Sequence, residues 1–164
     1  MKRNKIKTKF ISPLIDKNQS IKFVKKILNN EIPNEGILTK KFEKEISRLL
    51  NVKYTVATTS GTIAIFLALR ALNISKNDEV LVPNITFAAT PNAVSLAGAK
   101  PVLVDINEET LLLDVKKLKK KINKKTKAVI AVHISGRGSN IIQLKKLCAK
   151  YKLKLIEDAA EAFM

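Results

Sequence analysis

From residue 54 onward the chain alternates short apolar runs with longer amphipathic ones, and this rhythm constrains the fold more than any other feature. The runs at residues 54–57, 79–82, 101–105, 128–132 and 154–156 have the length and β-branched content of strands. Between them, residues 62–72, 90–96, 115–122 and 141–151 read as helices. Strands covered on both faces are nearly continuous in apolar residues because neither side meets water. The expected class is therefore α/β, a mainly parallel sheet with helices on both faces. Right-handed crossovers then gather the C-terminal ends of the strands along one edge, where ligands bind in such folds. Ahead of this region the start reads as irregular to about residue 20. Two amphipathic helices are expected at residues 22–29, with Ile21, Val24, Ile27 and Leu28, and at 38–50, with Phe42, Ile46, Leu49 and Leu50. Pro33 and Gly36 mark a turn between them. The expected organisation is an N-terminal segment, residues 1–50, and a domain from residue 51 to 164.

A chain of 164 residues can bury a real core. It has no run of about 18 apolar residues, so no membrane span is expected. Its basic start, Met1-Lys2-Arg3-Asn4-Lys5, is followed by no apolar stretch of a secretory signal. The single Cys148 excludes an intramolecular disulfide and fits a reducing, cytoplasmic setting. It stands among Leu144, Leu147 and Tyr151, as a small buried hydrophobe would. The net charge of +17 raises nucleic acid as a partner. Its distribution argues against that. The lysines are spread over nearly every helix, and the cluster from Lys116 to Lys127 lacks interleaved aromatics for base stacking. Neither a nucleic-acid nor a membrane partner is expected, and no metal site.

Three groups should meet at the C-terminal edge of the sheet. The first is Ser60-Gly61-Thr62, a turn leading into an apolar helix. The first N–H groups of a helix are unpaired and its macrodipole favours anions, so this is a potential phosphate cradle. Ser60 could equally serve only to cap the helix. The second is the loop from Asn84 to Thr90, where the ring of Phe87 could lie on a planar ligand or enter the core. The third is the pair Glu157-Asp158 at a strand end, where Asp158 could also cap the next turn. A phosphate site, an aromatic plate and a carboxylate together suit pyridoxal phosphate: the carboxylate keeps the ring nitrogen protonated, so the ring can act as an electron sink.

The motif series resembles the N-terminal part of the DegT/DnrJ/StrS family of pyridoxal-phosphate-dependent sugar aminotransferases. The matching segments are Ser60-Gly61-Thr62 with residues 67–74, Asp78-Glu79-Val80-Leu81-Val82-Pro83 and Thr86-Phe87-Ala88-Ala89-Thr90-Pro91-Asn92-Ala93. They continue through residues 98–106, residues 125–133 with Gly136, and Ile156-Glu157-Asp158-Ala159-Ala160-Glu161-Ala162. The resemblance runs from about Ile11 to the C-terminus. It implies a partial large domain of the fold-type I aminotransferase fold. It also implies that Gly61 and Thr62, beside Ser60, hold the cofactor phosphate, that Phe87 stacks on the ring and that Asp158 pairs with the pyridinium nitrogen. Glu161 would lie near the cofactor's phenolic oxygen, in the form found in perosamine-synthase-like members. His133 matches a family position and either faces the substrate or serves the structure. Asn140 stands where relatives often have Asp.

The implied function is transfer of an amino group, with glutamate as the donor, to a keto sugar carried on a nucleotide, in cell-surface polysaccharide or amino-sugar synthesis by a homodimer. The family's Schiff-base lysine lies beyond the aspartate motif, so no catalytic residue is assigned within this chain. The pattern stops just past a strand, which reads as a piece of a longer protein whose small C-terminal domain is absent. Two alternatives stand beside the aminotransferase: the dehydratase branch of the same family, and a non-catalytic remnant or a subunit that needs a complementing chain.

Overall fold

A computed structural model describes residues 15–30 and 36–163. The turn expected at Pro33 lies outside the described residues. The chain divides into two compact units, one ending at Ala57 and the other beginning at Thr58.

The first unit holds α1 (Lys17–Asn30) and α2 (Ile37–Leu50). Helix α1 begins earlier than the periodicity of the sequence suggests. The carboxylate of Asp16 accepts from the Gln19 N–H at 3.0 Å, an N-terminal capping bond that carries the helix back through residues 17–20. The expected strand at residues 54–57 does not form. A strand needs a ladder partner, and these residues make other bonds instead. The Thr55 hydroxyl donates to the Glu43 carbonyl at 2.6 Å, and the Ala57 N–H donates to the Glu43 carboxylate at 2.8 Å. Tyr54 and Val56 are left 77% and 78% exposed.

The second unit is an α/β sandwich with the expected layers. Its elements are α3 (Gly61–Ala71), β1 (Glu79–Pro83), α4 (Ala89–Leu96), β2 (Lys100–Val104), α5 (Val115–Lys121), β3 (Thr126–Val132), α6 (Ile141–Tyr151) and β4 (Lys154–Asp158). The four strands are parallel throughout, in the order β2-β1-β3-β4. Strand side chains alternate between faces, and the core divides accordingly. Val80, Val82, Ala128 and Ile130 face Ile65 and Leu69 of α3 and Ala93 and Val94 of α4. Leu81, Val129 and Ala131 face Leu118 of α5 and Leu144 and Cys148 of α6. Burial pushes the Cys148 thiol pKa up, so it packs as a neutral hydrophobe.

The parallel register brings Pro83 level with Val104, and Val132 level with Asp158, along one edge. Helix α3 runs away from that edge, antiparallel to the strands. A short link joins its end to the start of β1, and its Ile65 and Leu69 lie on the sheet. Its 11 residues span about 16 Å and the five of β1 about the same, so the N-terminus of α3 reaches the level of the strand C-termini.

Candidate functional site

Three loops leave this edge side by side: residues 84–88 after β1, 133–136 after β3 and 159–162 after β4. They enclose a pocket of about 230 Å³, lined by Thr86, Phe87, His133, Asp158 and Glu161 among others. Four residues singled out from the sequence thus come together.

Asp158 is the last residue of β4 and shares the sheet face of Ile156, toward α3 and α4. Its Oδ2 accepts from the Thr90 hydroxyl at 2.9 Å, and its Oδ1 from the Ala160 N–H at 3.3 Å. Asp158 therefore does shape the turn that follows. Two acceptor oxygens carry about four lone-pair sites, so these two bonds leave capacity on the pocket side. Phe87 is 80% exposed at the pocket wall, so its ring does not pack in the core.

Glu157, next in sequence to Asp158, points to the opposite face because strand side chains alternate. Its Oε2 lies 3.2 Å from Nε2 of His133. The other ring nitrogen, Nδ1, accepts from the Ser139 N–H at 2.9 Å. Nδ1 is therefore unprotonated, and the ring proton sits on Nε2, directed at Glu157. His133 belongs to the pocket wall, while both of its ring nitrogens are committed to the scaffold. The expected carboxylate pair is thus split between two tasks.

Glu161 is exposed, and its Oε2 accepts from the Ser135 N–H at 2.5 Å. Ser135 and Gly136 both have positive φ, +52° and +74°, which turns that N–H toward Glu161. A Cβ on Gly136 would lie 3.6 Å from the Glu161 carbonyl oxygen, an ordinary contact, so the positive φ rather than crowding favours glycine there.

Ser60, Gly61 and Thr62 start α3 and do not line the pocket itself. The Ser60 hydroxyl accepts from the Ile63 N–H at 3.3 Å, so the cap is real. It leaves the N–H groups of Gly61 and Thr62 without an acceptor among the described residues. A Cβ on Gly61 would meet nothing within 4 Å. Neither packing nor backbone strain demands glycine there, whereas close approach of an anion would use it.

The loop carrying Phe87 is anchored at its base. Asn84 donates to Oδ1 of Asp105 at 2.9 Å, and Lys117 reaches Oδ2 of Asp105 at 2.7 Å. The Lys117 hydrogen bond, followed by that of Asn84, holds the Asp105 pKa below the usual carboxylate range, and the same contact raises that of Lys117. A larger hollow of about 560 Å³ lies by α5 and α6, and three of its polar side chains serve the scaffold. Asp114 caps α5, Asn140 caps α6, and Asn107 closes a turn through the N–H groups of Glu109 and Thr110.

The family model for DegT/DnrJ/EryC1/StrS aminotransferases matches residues 14–164, nearly the whole chain. The chain belongs to this family. It is 44% identical over 131 residues to GDP-perosamine synthase of Vibrio cholerae, across 80% of this chain and 36% of that protein. It is 40% identical over 126 residues to 3-oxo-glucose-6-phosphate:glutamate aminotransferase of Bacillus subtilis, across 77% of this chain and 29% of that protein. NtdA of Bacillus subtilis, solved with bound cofactor PMP, superposes with a TM-score of 0.81 at 36% identity, covering 89% of this chain and 34% of that one. The fold is thus that of the fold-type I sugar aminotransferases, in part: the chain spans about a third of the length of these relatives. Among the described residues no helix is long and apolar enough to cross a membrane.

Sequence reasoning missed Thr90, which is fully buried beneath Asp158. Its signal was Thr86 and Thr90 four apart at a helix start, so that both can fall on one side of the first turn. Burial, which gives the hydroxyl its meaning, depends on packing against β4 that a local pattern does not carry.

Proposed function

We propose that residues 51–164 form the first part of the large domain of a pyridoxal-phosphate-dependent sugar aminotransferase, and that residues 1–50 form its N-terminal segment. The observation that carries this reading is the convergence of Phe87, Asp158 and Glu161 on one pocket, at the edge that the N-terminus of α3 also reaches. Bound there, the cofactor supplies an electron sink for moving an amino group. The residues divide the binding. The N–H groups of Gly61 and Thr62, with the Ser60 hydroxyl, take the phosphate. Phe87 covers one face of the ring and excludes water from it. Asp158 holds a proton on the ring nitrogen by charge-assisted hydrogen bonding. Glu161, fixed by the Ser135 N–H, presents its second oxygen toward the phenolic side of the ring. His133 sets the position of the β3 loop beside the substrate.

The substrate class is a keto sugar linked to a nucleotide, with glutamate as amino donor, in the synthesis of amino sugars or surface polysaccharide, and the working unit is a homodimer. The names of the relatives support a sugar as acceptor and, in one case, glutamate as donor. Titration of the protein with pyridoxal phosphate, followed by equilibrium dialysis, tests the cofactor reading. Saturable binding, weakened about tenfold or more by Asp158→Ala, is expected from loss of a hydrogen bond between charged groups. Absence of saturable binding, or equal binding by the variant, contradicts it.

A further inference from the structure

Thr90 sits in the first turn of α4 with no exposed surface, among apolar neighbours such as Ala93 and Val94. A buried hydroxyl is costly unless bonded, and valine would fill the same space without that cost. What the hydroxyl adds is its bond to Oδ2 of Asp158 at 2.9 Å. Since a carboxylate can only accept, the Thr90 proton is spent there. Thr90 then accepts from the Thr86 hydroxyl, also at 2.9 Å; the other acceptor within reach of Thr86, the Phe87 carbonyl, lies at 3.4 Å. The result is a directed chain from Thr86 to Thr90 to Asp158, ending on the carboxylate that lines the pocket.

The terminal torsion of an aspartate is broad and roughly two-fold, so packing alone sets its carboxylate plane poorly. Two donors from different elements set it here: Thr90 from α4 on Oδ2, and the Ala160 N–H from the turn after β4 on Oδ1. Thr86 is the residue before Phe87. The chain therefore couples the loop that carries the aromatic plate to the carboxylate.

We infer that Thr90, backed by Thr86, is a positioning residue that fixes the Asp158 carboxylate plane for a ring nitrogen and keeps it in register with Phe87. This rests on the cofactor reading of the pocket. The test compares the affinity of the protein for pyridoxal phosphate with its affinity for the analogue that has CH in place of the ring nitrogen. The ratio isolates the carboxylate–nitrogen contact from every other contact. The wild type should prefer the natural cofactor about tenfold or more, and Asp158→Asn should remove the preference. Thr90→Val should lose most of the preference while affinity for the analogue stays the same, and Thr90→Ser should restore it. Thr86→Val, which spares the packing under Asp158, should lose about two- to threefold, and it decides the matter if Thr90→Val does not fold. Full preference retained in Thr90→Val, or equal weakening of both ligands, overturns the positioning role and leaves the cofactor site standing. No binding by the wild type, or a preference that survives Asp158→Asn, overturns the cofactor reading and this inference with it.

Discussion

Both ring nitrogens of His133 are engaged, and this decides what removing the ring does. His133→Leu leaves the N–H of Ser139 buried without its acceptor. The expected loss is about 1–3 kcal/mol of stability, read from urea denaturation. A change of less than about 0.5 kcal/mol, the range of an ordinary surface substitution, would show the ring to be structurally idle. Gly61 makes the opposite case. A methyl group there meets nothing within 4 Å, so Gly61→Ala should leave the melting temperature unchanged or slightly raised while weakening pyridoxal phosphate binding. Equal binding by this variant would remove Gly61 from the phosphate site. The sequence singled out Phe87, Asp158 and Glu161 because each stands at or just beyond a strand end, and parallel strands bring such ends to one edge. It did not separate Glu157 from Asp158. Strand alternation sends one to His133 and the other to Thr90, and the partners lie more than 20 residues away in the chain.

At the scale of elements, the helices and strands of the second unit were readable to within a residue or two, since period and burial agree there. The run at residues 54–57 misled because β-branched content describes a strand's side chains and not its partner. Helix α5 depends on its ends. Asp114 accepts from the N–H groups of Lys116 and Lys117, which lowers its pKa, and Lys119, Lys120 and Lys121 sit at the favourable C-terminal end of the dipole. Asp114→Ala should cost about 1 kcal/mol, measured by denaturation. The latch of Asn84, Asp105 and Lys117 gives a pH signature. The Asp105 pKa is lowered in the folded state, chiefly by Lys117, so its contribution is present above the unfolded aspartate value and lost as pH falls through its own, lower one. The gap in melting temperature between wild type and Asp105→Asn should be small, because the pair is solvent-exposed, present at neutral pH and closed in strong acid. A gap that widens toward acid contradicts the sign.

For the molecule as a whole, much apolar surface is on the outside. On α1, Ile21, Val24 and Leu28 are exposed, as are Phe42 and Leu49 on α2 and Leu103 on β2. Among the described residues the outer sides of β2 and β4 pair with nothing. Open edges and apolar patches favour association. Sedimentation velocity should therefore show concentration-dependent association or aggregation, and a monodisperse monomer with a cooperative melt would contradict this. The central claim is that one edge of the sheet holds pyridoxal phosphate between the start of α3 and the end of β4. Backbone hydrogen exchange with and without saturating pyridoxal phosphate tests it residue by residue. The account predicts new protection at Gly61, Thr62 and residues 158–161, with the hollow around Asn107, Asp114 and Asn140 unchanged. Protection at that hollow, or none at Gly61 and Thr62, would contradict it.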